Sequence, residues 1–164
     1  MYANALYRRG FVQEGWKALK TLADTALDFD TSRIYPGIPE YFRADGRGMY
    51  HYLTGAASWY MMTMITQVFG VRGEAGDLLL QPKLTAAQFD AEGSASVHVT
   101  FAGRRLEIRC QNPGRLEYGQ YRVQKVLCGD AELCAGSCDS VIIPRRVIEA
   151  LPAEQKQVFT VYLG

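Results

Sequence analysis

The hydrophobic period of this chain changes near Leu78, from that of a helix to that of a strand, and no single layer of secondary structure satisfies both halves. Before the change, Leu19, Leu22, Ala23, Ala26 and Leu27 recur at three- and four-residue spacing, with Lys17, Lys20, Asp24 and Asp28 between them. That spacing predicts an amphipathic helix over 4–27. Asp28, Asp30, Thr31 and Ser32 end it, and Asp24, Asp28 and Asp30 read as solvated residues around that end. Tyr35-Pro36-Gly37-Ile38-Pro39 must follow as a loop, because each proline pushes its predecessor into extended backbone. A second helix is predicted from Ala56 to Phe69, entered through Thr54-Gly55 and stopped by Gly70. It carries no charged side chain, so other elements must wrap most of its circumference. One amphipathic partner is too little cover, which implies neighbours from a second subunit or from sequence upstream of Met1.

After the change, Val97, Val99 and Phe101 alternate with His98 and Thr100, and Leu106, Ile108 and Cys110 alternate with Glu107 and Arg109 across Ala102-Gly103. This pattern predicts a β-hairpin. Asn112-Pro113-Gly114 reads as a turn, 121–127, 141–143 and 158–163 as further strands, and 144–151 as a short helix. The expected class is α+β, with a helical segment over 1–72 and an antiparallel β-sandwich over 73–164.

Eighteen Lys and Arg against seventeen Asp and Glu give a net charge of +1, too little for the phosphate-driven attraction of nucleic acid. The apolar run Trp59 to Phe69 is too short for a bilayer, and the N-terminus lacks the basic-then-apolar order of a signal peptide. The expectation is a cytoplasmic protein with no membrane segment. Cys110, Cys128, Cys134 and Cys138 include no C-x-x-C pair, and His51 and His98 fall outside their cluster, so no metal site is expected. The last three cysteines are close enough in sequence for a disulfide, but in a leaderless chain they read as reduced thiols.

The densest chemical segment runs from Ile34 to Trp59: an aromatic and glycine-rich loop feeding into a helix start at Thr54-Gly55. Backbone N–H groups at a helix N-terminus, a hydroxyl beside them and a glycine that permits close approach can hold an anion. Thr54 can equally serve as an ordinary helix cap. Tyr35, Tyr41, Phe42, Tyr50, Tyr52 and Trp59 can stack on sugar rings or fill core, the commoner use.

The runs Ile38-Pro-Glu-Tyr-Phe42, Gly46-Arg-Gly-Met-Tyr-His-Tyr-Leu-Thr-Gly-Ala-Ala-Ser-Trp-Tyr60, Val68-Phe-Gly-Val-Arg-Gly73 and Gln81-Pro-Lys-Leu84 resemble the C-terminal end of glycoside hydrolase family 94, the inverting β-glucoside phosphorylases and the matching end of cyclic β-1,2-glucan synthases. The resemblance is specific over 34–84 and loose in the β half. It implies the last helices of an (α/α)6 barrel followed by a C-terminal antiparallel β-sandwich. In such enzymes phosphate attacks the anomeric carbon while an Asp general acid protonates the glycosidic oxygen, giving α-glucose 1-phosphate. The resemblance assigns Thr54 and Gly55 to phosphate, and places Glu40, Tyr41 and His51 on the substrate side. A carboxylate at Glu40 would repel phosphate unless protonated, turned away or paired with Arg43 or Arg47. No residue here matches the family's general acid or its phosphate Arg and His, which belong to barrel segments that would precede Met1. The implied chain is therefore a C-terminal portion without its own catalytic residue, starting internally, with inorganic phosphate and a β-glucan oligosaccharide as partners in the full enzyme. No metal or organic cofactor is implied. The competing expectation is a non-catalytic carbohydrate-binding or oligomerising module whose helices pack against a second copy.

Overall fold

The computed structural model describes residues 1–35, 37–50 and 55–164. The chain is α+β and divides into two compact units, Met1–Met64 and Ile65–Gly164.

In the first unit the expected single helix over 4–27 is two helices, α1 (Tyr2–Arg8) and α2 (Val12–Leu27). Gly10 causes the break: at φ +83° it closes α1 with a Schellman pattern, in which the Phe11 N–H donates to the Leu6 carbonyl (2.9 Å) and the Gly10 N–H to that of Tyr7 (3.1 Å). The break lets α1 fold back along α2. Tyr7 is fully buried there against Gly15, where a Cβ would come within 2.6 Å of the tyrosine ring. The Asp28 carboxylate accepts the Thr31 N–H (3.4 Å) and caps a short helix, α3 (Phe29–Ser32).

A small hairpin, β1 (Tyr41–Phe42) paired with β2 (Gly48–Met49), follows, and then α4 (Gly55–Thr63). Asn4 of α1 donates to the Thr63 hydroxyl of α4 at 3.3 Å. The second predicted helix is α-helical only to Thr63 and turns to π-helix over Met64–Val68. Gly70 has the left-handed φ of +65° required of a residue just past a helix. A Cβ there would lie 1.8 Å from the Gln81 carbonyl oxygen, so glycine is also demanded by the close approach of the two backbones.

The second unit contains two sheets. One is antiparallel: β3 (Val71–Glu74), β4 (Asp77–Leu80) and β9 (Val141–Ile143) in that order. The other holds β5 (Ser94–Phe101), β6 (Arg104–Gln111), β7 (Val123–Cys128), β8 (Ala131–Cys138) and β10 (Gln157–Leu163) in the order β5-β6-β10-β7-β8. The predicted β5–β6 hairpin forms, with Phe101 opposite Arg104 and a two-residue turn in which Ala102 and Gly103 both take positive φ. The strands at 121–127, 141–143 and 158–163 form as β7, β9 and β10, and the short helix is α5 (Arg145–Glu149).

Three strands of this unit, β3, β4 and β8, were not foreseen, nor was the β1–β2 hairpin of the first. Leu78, Leu79 and Leu80 of β4 are all buried, so the strand lacks alternation and conceals its hairpin partner β3. The strand β8 is, apart from Leu133, a run of small and polar residues without period. The sheet is also not antiparallel throughout: β10 runs parallel to β6, because the chain between them contains three strands and α5 and returns to the end where β6 began. The core gathers Leu78, Leu80 and Ile143 from the small sheet, and Leu106, Ile108, Val123, Val126 and Phe159 from the large one, each at most 2% exposed. Tyr121 pins the intervening loop: its hydroxyl accepts the Leu84 N–H (2.7 Å) and donates to the Leu84 carbonyl (2.9 Å). No helix among the described residues is long and apolar enough to cross a membrane.

Candidate functional site at the start of α4

Two of the residues expected at a site, Thr54 and His51, lie outside the described residues. The others can be placed. Glu40 sits at the base of the β1–β2 hairpin, where its N–H donates to the Met49 and Tyr50 carbonyls at 3.2 and 3.0 Å. This anchoring aims its side chain at α4: the Ala56 N–H donates to Glu40 Oε2 at 3.2 Å, and a Cβ on Gly55 would stand 3.5 Å from Oε1. Glu40 thus caps α4 from sixteen residues upstream. The free N–H groups and positive dipole end of a helix favour such an anionic oxygen.

Glu40 and Gly55 therefore come together at the start of α4. The Glu40 carboxylate occupies the helix N-terminus itself, and Arg43, offered as its partner, pairs with Asp45 at 3.5 Å. Gly55 has ordinary backbone geometry and only van der Waals distance to the carboxylate, so a side chain could be built there without strain.

Tyr41 faces Tyr50 across the hairpin, ring centroids 5.8 Å apart. Of the loop aromatics Tyr35, Tyr41 and Tyr50 are not core, at 83%, 49% and 66% exposed, Phe42 is half-buried, and Tyr52 lies outside the described residues. Beside Glu40, Gly55 and Ala56, an open cavity of about 440 Å³ is walled by Trp59 and Tyr60 of α4, Leu19 and Leu22 of α2, and Tyr2 of α1. Burial, followed by the charge of Asp24, pushes the Tyr60 phenol above its ordinary value and keeps it a neutral donor. Of the aromatic wall residues the sequence marks Trp59 alone as a candidate for sugar stacking; Tyr2 and Tyr60 carry no local signal, since the folding back of α1 brings Tyr2 there.

A second polar cluster lies on the large sheet. Glu107, with a side chain 7% exposed, accepts from Lys156 Nζ (2.5 Å) and from Arg109 Nη2 (2.5 Å) and faces His98 Nε2 at 3.6 Å. The Lys156 and Arg109 hydrogen bonds hold its carboxyl below the usual carboxylate range. Among the described residues, no group of three or more His, Cys, Asp or Glu could hold a metal ion. Comparison with protein-family models and with curated proteins gives no match.

Proposed function

We propose that the chain is the C-terminal portion of a cytoplasmic inverting β-glucan phosphorylase, in which Thr54 and Gly55 hold part of the phosphate that attacks the anomeric carbon. The general acid that protonates the glycosidic oxygen comes from a barrel segment outside this chain, and the strands from 73 onward form the β-sandwich that follows the barrel. The observation that supports the reading is the Ala56 N–H bonded to a carboxylate oxygen 3.2 Å away: the start of α4, directly after Thr54-Gly55, accepts an anionic oxygen. Tyr60, Trp59 and Tyr2 then offer aromatic surface for a sugar next to that anion. Glu40 competes with phosphate for the same donors, and sugar binding is the role in which its charge is an advantage.

The test is phosphorolysis of β-1,2-linked glucooligosaccharides by the full product of the source gene, with release of α-glucose 1-phosphate as the readout. Thr54→Ala removes a hydrogen bond to a charged group, about 1.5–3 kcal/mol, and should raise the KM for phosphate roughly 10- to 150-fold. An unchanged phosphate dependence sinks the assignment, as does a stop codon immediately before Met1 with no barrel gene nearby.

A second reading, a non-catalytic oligomerising module, has its own support in the helical unit: among the described residues, ten of the twelve large apolar side chains left exposed lie between Met1 and Met62. Sizing the purified chain by light scattering separates the two. A discrete dimer favours the module, and polydisperse aggregation the severed barrel.

A further inference from the structure

The free edge of the large sheet carries an inference that is independent of the phosphorylase reading. Among the described residues β5 pairs with β6 alone, through eight consecutive residue pairs from Ser94–Gln111 to Phe101–Arg104 without a shift. Every second residue of such an edge turns its N–H and C=O away from the sheet, a template for another strand. Short length, charge, proline or a bulge ordinarily blunts an edge. The other edges of this unit are blunted in these ways: β3 has four residues, among them Arg72 and Glu74, β9 has three, and β8 shifts register twice against β7 and carries Glu132. The run Ser-Ala-Ser-Val-His-Val-Thr-Phe of β5 contains no proline, glycine, Lys, Arg, Asp or Glu. Its inward side is also incompletely covered. Ala95, Val97 and Val99 are half-buried, whereas their partners Cys110, Ile108 and Leu106 on β6 are at most 1% exposed.

We propose that β5 is the contact of a two-fold dimer, in which the β5 strands of two copies of this chain pair antiparallel and join their five-stranded sheets into one. A second copy fits this edge because the edge is complementary to itself. A two-fold axis normal to the sheet keeps each face on its own side, so residues of the same parity meet, as in Val97 on Val97 or His98 on His98. The inward Ala, Val and Phe side chains of the two copies then lie together, and so do Ser96, His98 and Thr100, which are exposed on the outward side. The flanks agree with the same direction. Asp90 and Glu92 precede β5, and Arg104 and Arg105 follow it. Antiparallel pairing therefore sets acid beside base at both ends, while parallel pairing sets like beside like. Each copy offers one such edge, so the pairing closes at two.

Hydrogen–deuterium exchange of the full chain, from micromolar to near-millimolar concentration, should slow in peptides covering Ser94–Phe101 as concentration rises, and sedimentation should resolve monomer and dimer. The double variant Ser96→Lys, His98→Lys leaves the inward side untouched and sets like charges opposite one another across the axis in either register. It should weaken the dimer about 3- to 10-fold, with the exchange of the same peptides shifted to match. Circular dichroism of the dilute variant checks that it folds; if it does not, the exchange of the wild type decides alone. Exchange at 94–101 that is independent of concentration overturns the proposal, as does a folded variant that dimerises as tightly as the wild type. Protection gained only in peptides of the helical unit, or gained at 94–101 in a species larger than a dimer, overturns it too.

Discussion

At the scale of single residues, the chemistry of this chain turns on where two carboxylates point. Glu40 is an exposed acid by composition, but the hairpin beneath it delivers its Oε2 to the Ala56 N–H, so its removal is felt by a helix. Glu40→Ala should destabilise the helical unit by about 1 kcal/mol, the usual cost of a lost cap, while Glu40→Gln, which keeps an acceptor oxygen, should cost less than half of that. Thermal unfolding followed by circular dichroism of the two variants side by side checks this; equal losses would mean that the contact is incidental. Glu107 is the buried counterpart. Its folded value is held down by Lys156 and Arg109, so its contribution to stability is complete above the unfolded carboxylate value of about 4.3 and is lost as pH falls through the lower folded one. Glu107→Gln should therefore cost about 1–3 kcal/mol at neutral pH, and the gap to the wild type should shrink toward pH 3, as urea titrations at the two pH values would reveal. A gap independent of pH would assign the loss to packing instead.

At the scale of elements, glycine placement decides more than apolar spacing. Gly10 splits what the leucine pattern alone extends into one helix, and Gly70 ends α4's π-helical continuation where Gln81 crosses it. Two of the three hairpins of the second unit turn on Ala-Gly pairs, Ala75-Gly76 at φ +50° and +94° and Ala102-Gly103 at +47° and +70°. Alanine is a poor occupant of the first position, because its Cβ meets the following carbonyl in left-handed backbone. Replacing Ala102 with Asn, which tolerates that conformation, should stabilise the β5–β6 hairpin by roughly 0.5–1 kcal/mol, read as a raised midpoint in denaturant with an unchanged slope. Destabilisation would show that the turn holds Ala102 in some other way.

For the whole molecule, the exposed apolar surface is unevenly divided between the units. The helical unit leaves Met61, Met62, Tyr35 and Leu27 in solvent, whereas among the described residues of the sheet unit Tyr118 and Ile142 alone of the large apolar side chains are exposed. Such a surface drives association. Met61→Glu changes a side chain that is 60% exposed, so it should leave folding stability within about 0.5 kcal/mol while lowering the concentration-dependent light scattering of the chain. If scattering is unaffected, the exposed face of α4 is not what associates.

The residues themselves signalled a change of layer, because a 3.6-residue period and a two-residue period bury different faces, but the observed units divide at Met64 and Ile65 and not at 72 and 73. They also determined the β5–β6 hairpin, the strands β7, β9 and β10, the stop at Gly70 and the apolar character of α4, each signalled by spacing within a few neighbours. Tertiary structure decided the rest. The strand β4 is buried on both faces and β8 is small and polar, so neither has a period to read, and the parallel pairing of β6 with β10 joins segments more than forty residues apart. The candidate site divides in the same way: Thr54-Gly55 before a helix suggests anion binding from local sequence alone, while the Glu40 cap and the Tyr2 wall depend on a hairpin and a folded-back helix. A sequence declares what a residue can bond; only long-range packing selects, from many equal candidates, the partner it meets.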